Sequence, residues 1–286
     1  MKKLCKEHWP WILIITLLLI FIIYVIWGNI SLEITEYTVI SDRLPESFSG
    51  FRIAQISDLH NTEFGRDNSR LLEKLKDIQP DIIVLTGDLV DSRRTNLEIA
   101  ISFARKAVSI APTYYVPGNH EERIPKLNDL IAELGNAGVT VLLDDSIMLK
   151  HGNDQIRLAG ILDLSFRKNA PETETKEAID AAIPDTEQFS ILLSHNPELF
   201  HIYNASNADL VLSGHVHGGQ FRLPFVGGLY APGQGFFPEY DAGTFAENGT
   251  TMIVSRGLGN SLFPFRIGNS PEIVVIEIQN GKSKDI

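Results

Sequence analysis

The stretch "DIIVLTGDLVD", residues 81–91, places an apolar, β-branched run directly before a glycine and an aspartate. A run of this length and composition that ends at a glycine is typical of a strand. The strand is predicted over residues 81–87, so the carboxylate of Asp88 falls at its carboxyl end. The same arrangement recurs along the chain, and the fold is predicted from that recurrence.

Short apolar runs of this kind alternate with amphipathic segments. Strands are predicted at residues 51–57, 81–87, 113–118, 139–144, 156–161, 189–194, 208–214, 251–256 and 272–278. Helices are predicted at residues 68–78, 96–109, 126–137 and 173–182. The first half therefore alternates strand and helix and the second half is richer in strands, which predicts an α/β layered domain with mixed sheets flanked by helices. Residues 221–247, rich in Gly, Pro and aromatic side chains, are expected to form a long ordered loop.

The charge of the chain limits its partners. The formal net charge of the 286 residues is −11. The first thirty residues carry three lysines and one glutamate, a net of +2, which leaves −13 on the remainder. An acidic body of this kind lacks the basic surface that binds nucleic acid, so no nucleic-acid partner is expected. No obligate protein partner is predicted either, and the single cysteine, Cys5, excludes an internal disulfide.

The segment "WILIITLLLIFIIYVIW", residues 11–27, contains no charged side chain. About 17–20 such residues in a helix cross the hydrocarbon layer of a membrane. The three tryptophans of the chain, Trp9, Trp11 and Trp27, lie at the ends of this segment, as interfacial side chains do. The lysines before it predict a single-pass protein of the cell membrane with a cytoplasmic N-terminus and an extracytoplasmic catalytic domain.

A cleaved signal peptide is the alternative for this segment. The apolar run is long for a signal peptide, and Val25, Ile26 and Trp27 offer no cleavage site of small residues, so we favour an uncleaved anchor. The predicted organisation is a cytoplasmic tip and anchor over residues 1–30, a lead-in linker over 31–50 and a catalytic domain over 51–286.

Aspartate, histidine or asparagine follows five of the predicted strands. Ligands of open α/β sheets gather outside the carboxyl ends of the strands, and five of the eight histidines lie at these positions. Oxygen and nitrogen donors of this kind suit Mn²⁺, Fe or Zn²⁺, and the absence of cysteine argues against a structural zinc site. The residues that follow the five strands are Asp58 and His60, Asp88, Asn119 and His120, His195, and His215 and His217.

Spacing and glycines support the same interpretation. In "DLH" and "HVH" the polar residues are two positions apart, so on an extended backbone both would point to one face and serve one metal centre. Gly87, Gly118 and Gly214 precede the polar residues, and the lack of a Cβ atom would let the backbone approach the metal ions closely.

The motifs "SDLH", "GDLVD", "GNHE", "SH" and "GHVHGG" occur here in the order that is found in calcineurin-like metallophosphoesterases. The chain resembles most closely the membrane-anchored bacterial phosphodiesterase-type members, through "GHVHGGQFRLPFVGGLYAPG" and "SRGLGNSLFPFRIGNSPE". This resemblance implies a four-layer α/β/β/α sandwich that follows an N-terminal transmembrane helix.

The resemblance also implies a dinuclear metal centre, with Mn²⁺ expected and Fe or Zn²⁺ as alternatives. One ion would be held by Asp58, His60, Asp88 and His217. The other would be held by Asp88, Asn119, His195 and His215, with Asp88 between the two ions. A bridging hydroxide would attack the phosphoester, and the catalytic residues would be His120, near the leaving group, and Asp91, which orients it.

One position departs from the Ser/Thr protein phosphatases of this superfamily. Their "GDxVDRG" motif has an arginine where this chain has Ser92, within "GDLVDSRR". A protein phosphatase is therefore not expected, and no phosphate-binding role is assigned to Arg93.

The leading hypothesis is a membrane-anchored, metal-dependent phosphodiesterase. It would act on lipid-linked or cell-envelope phosphoesters such as UDP-diacylglucosamine-like glycolipids, an idea that rests on the resemblance and the anchor. A phosphomonoesterase or nucleotidase, and a non-catalytic binding scaffold of the same fold, are the alternatives. The phenylalanines at 236–237, 263 and 265 either pack within loops or form an apolar rim for a lipid-linked substrate. Arg256 and Arg266 have either a structural role or contact substrate phosphate.

Overall fold

The computed structural model of this chain describes residues 2–185, 187–261 and 263–284, with side chains from residue 8 to residue 282. The predicted domain limits at residues 1 and 286 lie outside the described residues. The helices are α1 (Lys2–Ile30), α2 (Ser69–Ile78), α3 (Leu97–Val108), α4 (Asn119–Glu122), α5 (Leu127–Asn136), α6 (Pro171–Ala182) and α7 (Phe200–Tyr203). The strands of the first half are β1 (Glu33–Ser41), β2 (Phe51–Ile56), β3 (Ile82–Thr86), β4 (Thr113–Val116), β5 (Thr140–Val141), β6 (Asp145–His151) and β7 (Asp154–Gly160). Those of the second half are β8 (Ser190–Leu193), β9 (Leu210–Ser213), β10 (Arg222–Leu223), β11 (Gly227–Gly228), β12 (Tyr230–Ala231), β13 (Gly235–Phe236), β14 (Gly243–Glu247), β15 (Thr250–Val254) and β16 (Glu272–Asn280).

Twelve of these strands form two six-stranded sheets. The first sheet has the order β1-β16-β2-β3-β4-β5, and the second has the order β14-β15-β9-β8-β7-β6. Strands β2 to β5 run parallel in the first sheet, and β7, β8, β9 and β15 run parallel in the second. The parallel strands end at one edge of each sheet, so the residues that follow them can meet.

Three apolar layers hold the sheets and helices together. Side chains such as Ile53, Val84 and Leu212 fill the space between the two sheets. The outer face of the first sheet packs against the buried stripes of α2, α3 and α5, and that of the second packs against α6 and α7. The result is the four-layer α/β/β/α sandwich, which confirms the predicted fold class.

Residues 33–41 extend the first sheet beyond the predicted strands. We predicted a linker over residues 31–50, whereas Glu33–Ser41 pairs in parallel with Glu272–Asn280 along the edge of the sheet. The side chains of β1 are largely exposed, so this segment lacks the apolar run by which the other strands were recognised. The sheet therefore includes residues on both sides of the predicted boundary at residue 51.

The segment 221–247 contains more regular structure than the expected long loop. It forms two antiparallel hairpins, β10–β11 and β12–β13, before β14 joins the second sheet. Each hairpin strand has only two residues, which is too short for a pattern of alternating side chains. The predicted strand at 139–144 likewise shortens to β5, although the N–H of Leu142 still donates to the carbonyl of Tyr115 in β4 at 2.9 Å.

The N-terminal helix α1 lies outside the four layers. Its segment His8–Ile30 has a mean hydropathy of 2.8 and is not buried against the rest of the chain. Among the described residues it is the one helix long and apolar enough to cross a membrane. Only Ser31 and Leu32 separate the end of α1 from the start of β1.

Candidate metal centre

The predicted site residues come together where the parallel strands of both sheets end. Strands β2, β3 and β4 contribute from one sheet, and β8 and β9 contribute from the other. Asp58, His60, Asp88, Asn119, His120, His195 and His217 are buried, and His215 is half-buried. The eight residues are therefore assembled by sheet topology rather than by proximity in the sequence.

One cluster consists of Asp58, His60 and His217. The Nε2 atoms of His60 and His217 are 3.1 Å apart. Oδ1 of Asp58 lies 3.8 Å from Nε2 of His60 and 3.6 Å from Nε2 of His217. The backbone N–H of His215 donates to the carboxylate of Asp58, at 3.1 Å from Oδ2, and fixes its orientation. Three donor atoms therefore converge at a distance that suits one metal ion.

A second cluster consists of Asp88, His195 and His215. Nε2 of His195 lies 3.2 Å from Oδ2 of Asp88 and 3.3 Å from Nδ1 of His215. Oδ1 of Asn119 is 2.9 Å from the same Nδ1 atom, so the amide faces this cluster as well. Oδ2 of Asp88 is also 3.6 Å from Nε2 of His60, which places this carboxylate between the two clusters.

The backbone is left-handed rather than extended at five of the clustered residues. The φ angle is positive at Asp58, His60, Asp88, His215 and His217, between 46° and 72°. The expectation that "DLH" and "HVH" are extended pairs was therefore wrong, because each pair follows the strand in a turn. His215 and His217 belong to different clusters, whereas Asp58 and His60 belong to the same one. Such backbone is unfavourable for non-glycine residues and is often found at functional sites.

The hydrogen bonds of His195 leave its inner nitrogen facing a carboxylate. Nδ1 of His195 donates to the backbone carbonyl of Thr86 at 2.7 Å. In the neutral ring Nε2 therefore has no proton, and its lone pair points at Oδ2 of Asp88, 3.2 Å away. Two acceptors at this distance require a cation between them. A metal ion fits that position, because the backbone contact of the other nitrogen also matches the usual support of a metal-binding imidazole.

The charges of the cluster agree with this interpretation. Burial alone would raise the pKa of Asp88, but the neighbouring His195 outweighs it, and the pKa lies well below its usual range. Burial alone would lower the pKa of His195, but the carboxylate of Asp88 holds it well above the usual range. Both pKa shifts show that a positive charge beside the buried carboxylate of Asp88 is favourable.

His120 forms a third group of potential metal-binding side chains with His60 and Asp88, and one of its nitrogens is already occupied. The backbone N–H of Ser92 donates to Nδ1 at 3.0 Å, so Nδ1 is an acceptor and neutral His120 carries its proton on Nε2. Burial lowers the pKa of His120 to about 4. Oδ1 of Asp91 is 3.9 Å from Nδ1 and instead accepts the backbone N–H of Arg93 at 2.8 Å. Ser92, which stands where the Ser/Thr protein phosphatases have an arginine, therefore contacts His120 directly.

Two buried residues outside the predicted set support the ligands. The carboxylate of Glu121 accepts the backbone N–H groups of Asp88 at 2.8 Å and Gly118 at 2.7 Å, which ties two ligand-bearing loops together. Nη2 of Arg266 is 3.2 Å from Nδ1 of His217 and also donates to the carbonyl of Gly259. Glu121 is the last residue of "GNHE", but the motif alone did not indicate this role.

The alternatives for the two arginines are now distinguished by their contacts. Arg256 forms an ion pair with Glu272 at 2.9 Å and another with Glu33 at 2.9 Å. Arg266 is 1% exposed and is surrounded by backbone carbonyls and the imidazole of His217. Both side chains therefore hold parts of the site together rather than face a substrate.

A cavity of about 630 Å³ opens over the clusters. Asp88, Asn119, His120, His215 and His217 contribute to its lining, and Arg93, Arg123, Tyr230 and Phe263 contribute to its walls. One side of the cavity, which we call the third wall, contains Asp163, Ser165 and Glu198. Each of these has a buried oxygen without a hydrogen-bond partner among the described residues. The floor suits a phosphoester, and the third wall offers acceptors to a group that donates hydrogen bonds.

Comparison with known proteins found a matching family model and several similar proteins. The family model of the calcineurin-like phosphoesterases matches residues 51–219. The uncharacterized metallophosphoesterase YkuE of Bacillus subtilis is 30% identical over 255 residues, which cover 87% of this chain and 86% of that protein. Phosphodiesterase YaeI of Escherichia coli is 31% identical over 233 residues, which cover 80% of this chain and 82% of that protein.

Two further similarities are to a transmembrane protein and to a solved structure. A bovine (Bos taurus) transmembrane protein with metallophosphoesterase domain is 29% identical over 261 residues, 86% of this chain and 57% of that protein. The crystal structure of TT1561 of Thermus thermophilus superposes with a TM-score of 0.52 at 15% identity, over 73% of this chain and 91% of that one. The latter is a likeness of fold alone.

Proposed function

Because this chain belongs to the calcineurin-like phosphoesterase family, we propose that it is a membrane-anchored phosphodiesterase that acts on lipid-linked or cell-envelope phosphoesters. The family hydrolyses phosphoesters at a dinuclear metal centre, and the hydrolase activity follows from that membership. The observation that carries the proposal is the carboxylate of Asp88, which lies between two clusters of metal-binding side chains.

The two clusters would hold the two metal ions. We propose the ligands Asp58, His60, Asp88 and His217 for one ion, and Asp88, Asn119, His195 and His215 for the other. Mn²⁺ is the proposed metal, with Fe or Zn²⁺ as alternatives that share the same oxygen and nitrogen donors. When bound, two such ions supply Lewis acidity to the phosphoryl group and a nucleophile at neutral pH.

His120 would assist the leaving group as a hydrogen-bond donor. Its Nδ1 atom is occupied by the N–H of Ser92, so the Nε2 proton is the one available to an oxygen of the substrate. With a pKa of about 4 the ring is neutral at pH 7, and it stabilises a developing alkoxide without first becoming an imidazolium. Asp91 would act indirectly, by holding Arg93 and the turn that presents Ser92.

The third wall of the cavity supports a substrate with a polar headgroup. Asp163 is 3% exposed, and Oδ2 of Asp163 and Oε1 of Glu198 have no partner among the described residues. Sugar hydroxyls or an amine beside the phosphate would satisfy both. A glycolipid of the UDP-diacylglucosamine kind has this chemistry, and the similarity to YaeI, which is named a phosphodiesterase, favours a diester.

The anchor would be α1, retained in the mature protein. Its exposed apolar surface and the transmembrane relative support a single-pass membrane protein. The positive-inside rule gives a cytoplasmic N-terminus and an extracytoplasmic catalytic domain, although the lysine side chains that carry this rule lie outside the described side chains. A reporter fused at the C-terminus tests the orientation, and a signal confined to the cytoplasm would contradict it.

The enzymatic proposal is tested with the full chain in detergent. Hydrolysis of bis(p-nitrophenyl) phosphate and p-nitrophenyl phosphate is measured with Mn²⁺, and bound metal is measured by elemental analysis. We expect His120→Ala to retain metal and to lose about 10²–10⁴ in rate, whereas His201→Ala, at an exposed histidine outside the site, should match the parent protein.

Three outcomes would contradict parts of the proposal. Turnover of the monoester alone would favour the phosphomonoesterase. No turnover of either compound, together with no bound metal, would indicate the binding scaffold. Loss of metal in His120→Ala would show that His120 is a ligand rather than a donor to the leaving group.

A further inference from the structure

The end of the membrane helix contacts a loop of the catalytic domain. Oδ1 of Asn29, in the last turn of α1, accepts the backbone N–H of Arg266 at 2.8 Å, and its Nδ2 donates to the carbonyl of Arg266 at 3.0 Å. Nδ2 of Asn260 donates to the same Oδ1 atom at 3.2 Å. The loop formed by residues 260–261 and 263–268 is thereby held against the helix by side-chain and backbone hydrogen bonds.

The loop also lies close to a residue further toward the N-terminus of α1. A Cβ atom placed on Gly268 would lie 3.8 Å from Oη of Tyr24, six residues before Ile30. Six residues of α-helix correspond to about 9 Å along the axis. Tyr24 and Trp27 are side chains of the type that lies at the membrane interface. This loop therefore lies at the depth of the lipid headgroups wherever α1 crosses the bilayer.

Exposed apolar side chains surround this loop. We define the aromatic rim as Leu223, Phe225, Val226, Phe236, Phe237, Phe263 and Phe265, all of which are exposed. Phe225 and Val226 form the tip of the hairpin β10–β11, and Phe225 is completely exposed. An apolar group of this size that faces water is unfavourable, and on soluble proteins it marks an interaction site.

The rim is continuous with the docked loop. The ring of Phe221 lies 5.3 Å from that of Phe263 and 5.6 Å from that of Phe265. The N–H of Arg222 donates to the carbonyl of Ile267 at 2.9 Å, which fixes β10 beside the loop. The second hairpin joins the first through the N–H of Phe237, which donates to the carbonyl of Leu229 at 2.9 Å. The aromatic rim therefore projects beside the point where α1 leaves the membrane.

We infer that the aromatic rim inserts into the surface of the phospholipid bilayer from which α1 emerges, so that the catalytic cavity opens at the lipid headgroups. The inference rests on the membrane span of the proposed function. Phe263 belongs both to the rim and to the cavity wall, and the ring of Tyr230, which also lines the cavity, lies 5.4 Å from that of Phe236 in the rim. A lipid-linked substrate would then reach the clusters from within the leaflet, with its apolar chains still in the membrane.

The depth of the rim is measured on the full chain in phosphatidylcholine vesicles. In a Cys5→Ser background, a bimane label is attached at Phe225→Cys, at Phe237→Cys or at Asn153→Cys. Asn153 is the control, since it is exposed at the turn between β6 and β7, which lies at the opposite edge of the sheet from the site. The vesicles contain phosphatidylcholine with bromine on the upper part of the acyl chain, which quenches a label that reaches this depth.

We expect the labels at 225 and 237 to be quenched about fivefold more strongly than the label at 153, because interfacial side chains reach about 5–10 Å into the headgroup and acyl boundary. Equal, weak quenching at all three positions would overturn the inference. Turnover of bis(p-nitrophenyl) phosphate by the labelled proteins separates the two proposals. Strong quenching without turnover would sustain the rim and refute the phosphodiesterase, whereas turnover without quenching would do the reverse.

Discussion

Substitution of Gly87 by alanine tests whether close backbone packing shapes the metal centre. Gly87 has a φ angle of 89°, which side chains of L-residues rarely adopt. A Cβ atom at this position would lie 2.5 Å from Nδ1 of His195 and 2.8 Å from the backbone of Gly118. The new methyl group would therefore displace one proposed ligand and the loop that carries another.

The expected cost has two parts. The unfavourable backbone conformation costs about 1–3 kcal/mol, and an extra carbon in a packed interior costs about 1–3 kcal/mol. Gly87→Ala should therefore destabilise the protein by about 2–6 kcal/mol, which lowers the midpoint of thermal unfolding by roughly 10 °C. Displacement of His195 should also weaken Mn²⁺ binding by about 10- to 100-fold.

The matched control is Gly135→Ala. Gly135 is exposed within α5, and an added Cβ atom there would meet nothing within 4 Å. This change should stabilise the protein by about 0.5–1 kcal/mol through helix propensity and leave Mn²⁺ binding unchanged. Circular dichroism during heating and calorimetric titration with Mn²⁺ measure both quantities. If Gly87→Ala unfolded with the parent midpoint and bound Mn²⁺ normally, the close approach of these loops would not constrain the site.

Asp88→Asn should lose both metal ions together, because this carboxylate lies between the clusters, and elemental analysis that finds one ion retained would contradict the shared position. Arg266→Met should weaken Mn²⁺ binding by about 10- to 100-fold through loss of the contact to His217; an unchanged titration would show that the arginine does not orient this ligand. Burial and the charge of Asp163 raise the pKa of Glu198 to about 7. Between about pH 4.5 and pH 7, Glu198 is therefore protonated in the folded protein but ionised in the unfolded chain. The free energy of unfolding consequently decreases as the pH rises toward 7. The unfolding free energy of Glu198→Gln should show a smaller decrease over that range, and identical slopes would contradict the raised pKa.

The layered fold could be predicted because its main strands carry local signals. The runs at 51–57, 81–87 and 189–194 are apolar, β-branched and end at polar residues, and the strands lie within two residues of those limits. Strand β1 carries no such signal, since its side chains are mostly exposed and its partner β16 lies more than 200 residues away in the chain. Pairing at a sheet edge depends on main-chain groups that every residue possesses.

The identities of the clustered residues could be predicted, but their orientations could not. Asp58, His60 and His217 follow strands, and the chemistry of their side chains is enough to indicate a metal site. The left-handed φ angles of His215 and His217 could not be predicted, because residues other than glycine rarely adopt them and the neighbouring Gly214 and Gly218 do not indicate them. The partner of His120 is likewise a backbone N–H, that of Ser92, which sequence patterns cannot distinguish from any other.

The short connection between α1 and the first sheet affects how the enzyme meets its substrate. Only Ser31 and Leu32 separate the helix from β1, and Asn29 is hydrogen-bonded to the loop at Arg266. The orientation of the catalytic domain relative to α1 is therefore fixed. With α1 in a membrane, as proposed, a domain fixed in this way would encounter lipid-linked substrates by lateral diffusion within one leaflet, and its rate would depend on the number of substrates per unit area of membrane. Dilution of a substrate with inert lipid would then slow turnover, while dilution of the vesicles in buffer would not.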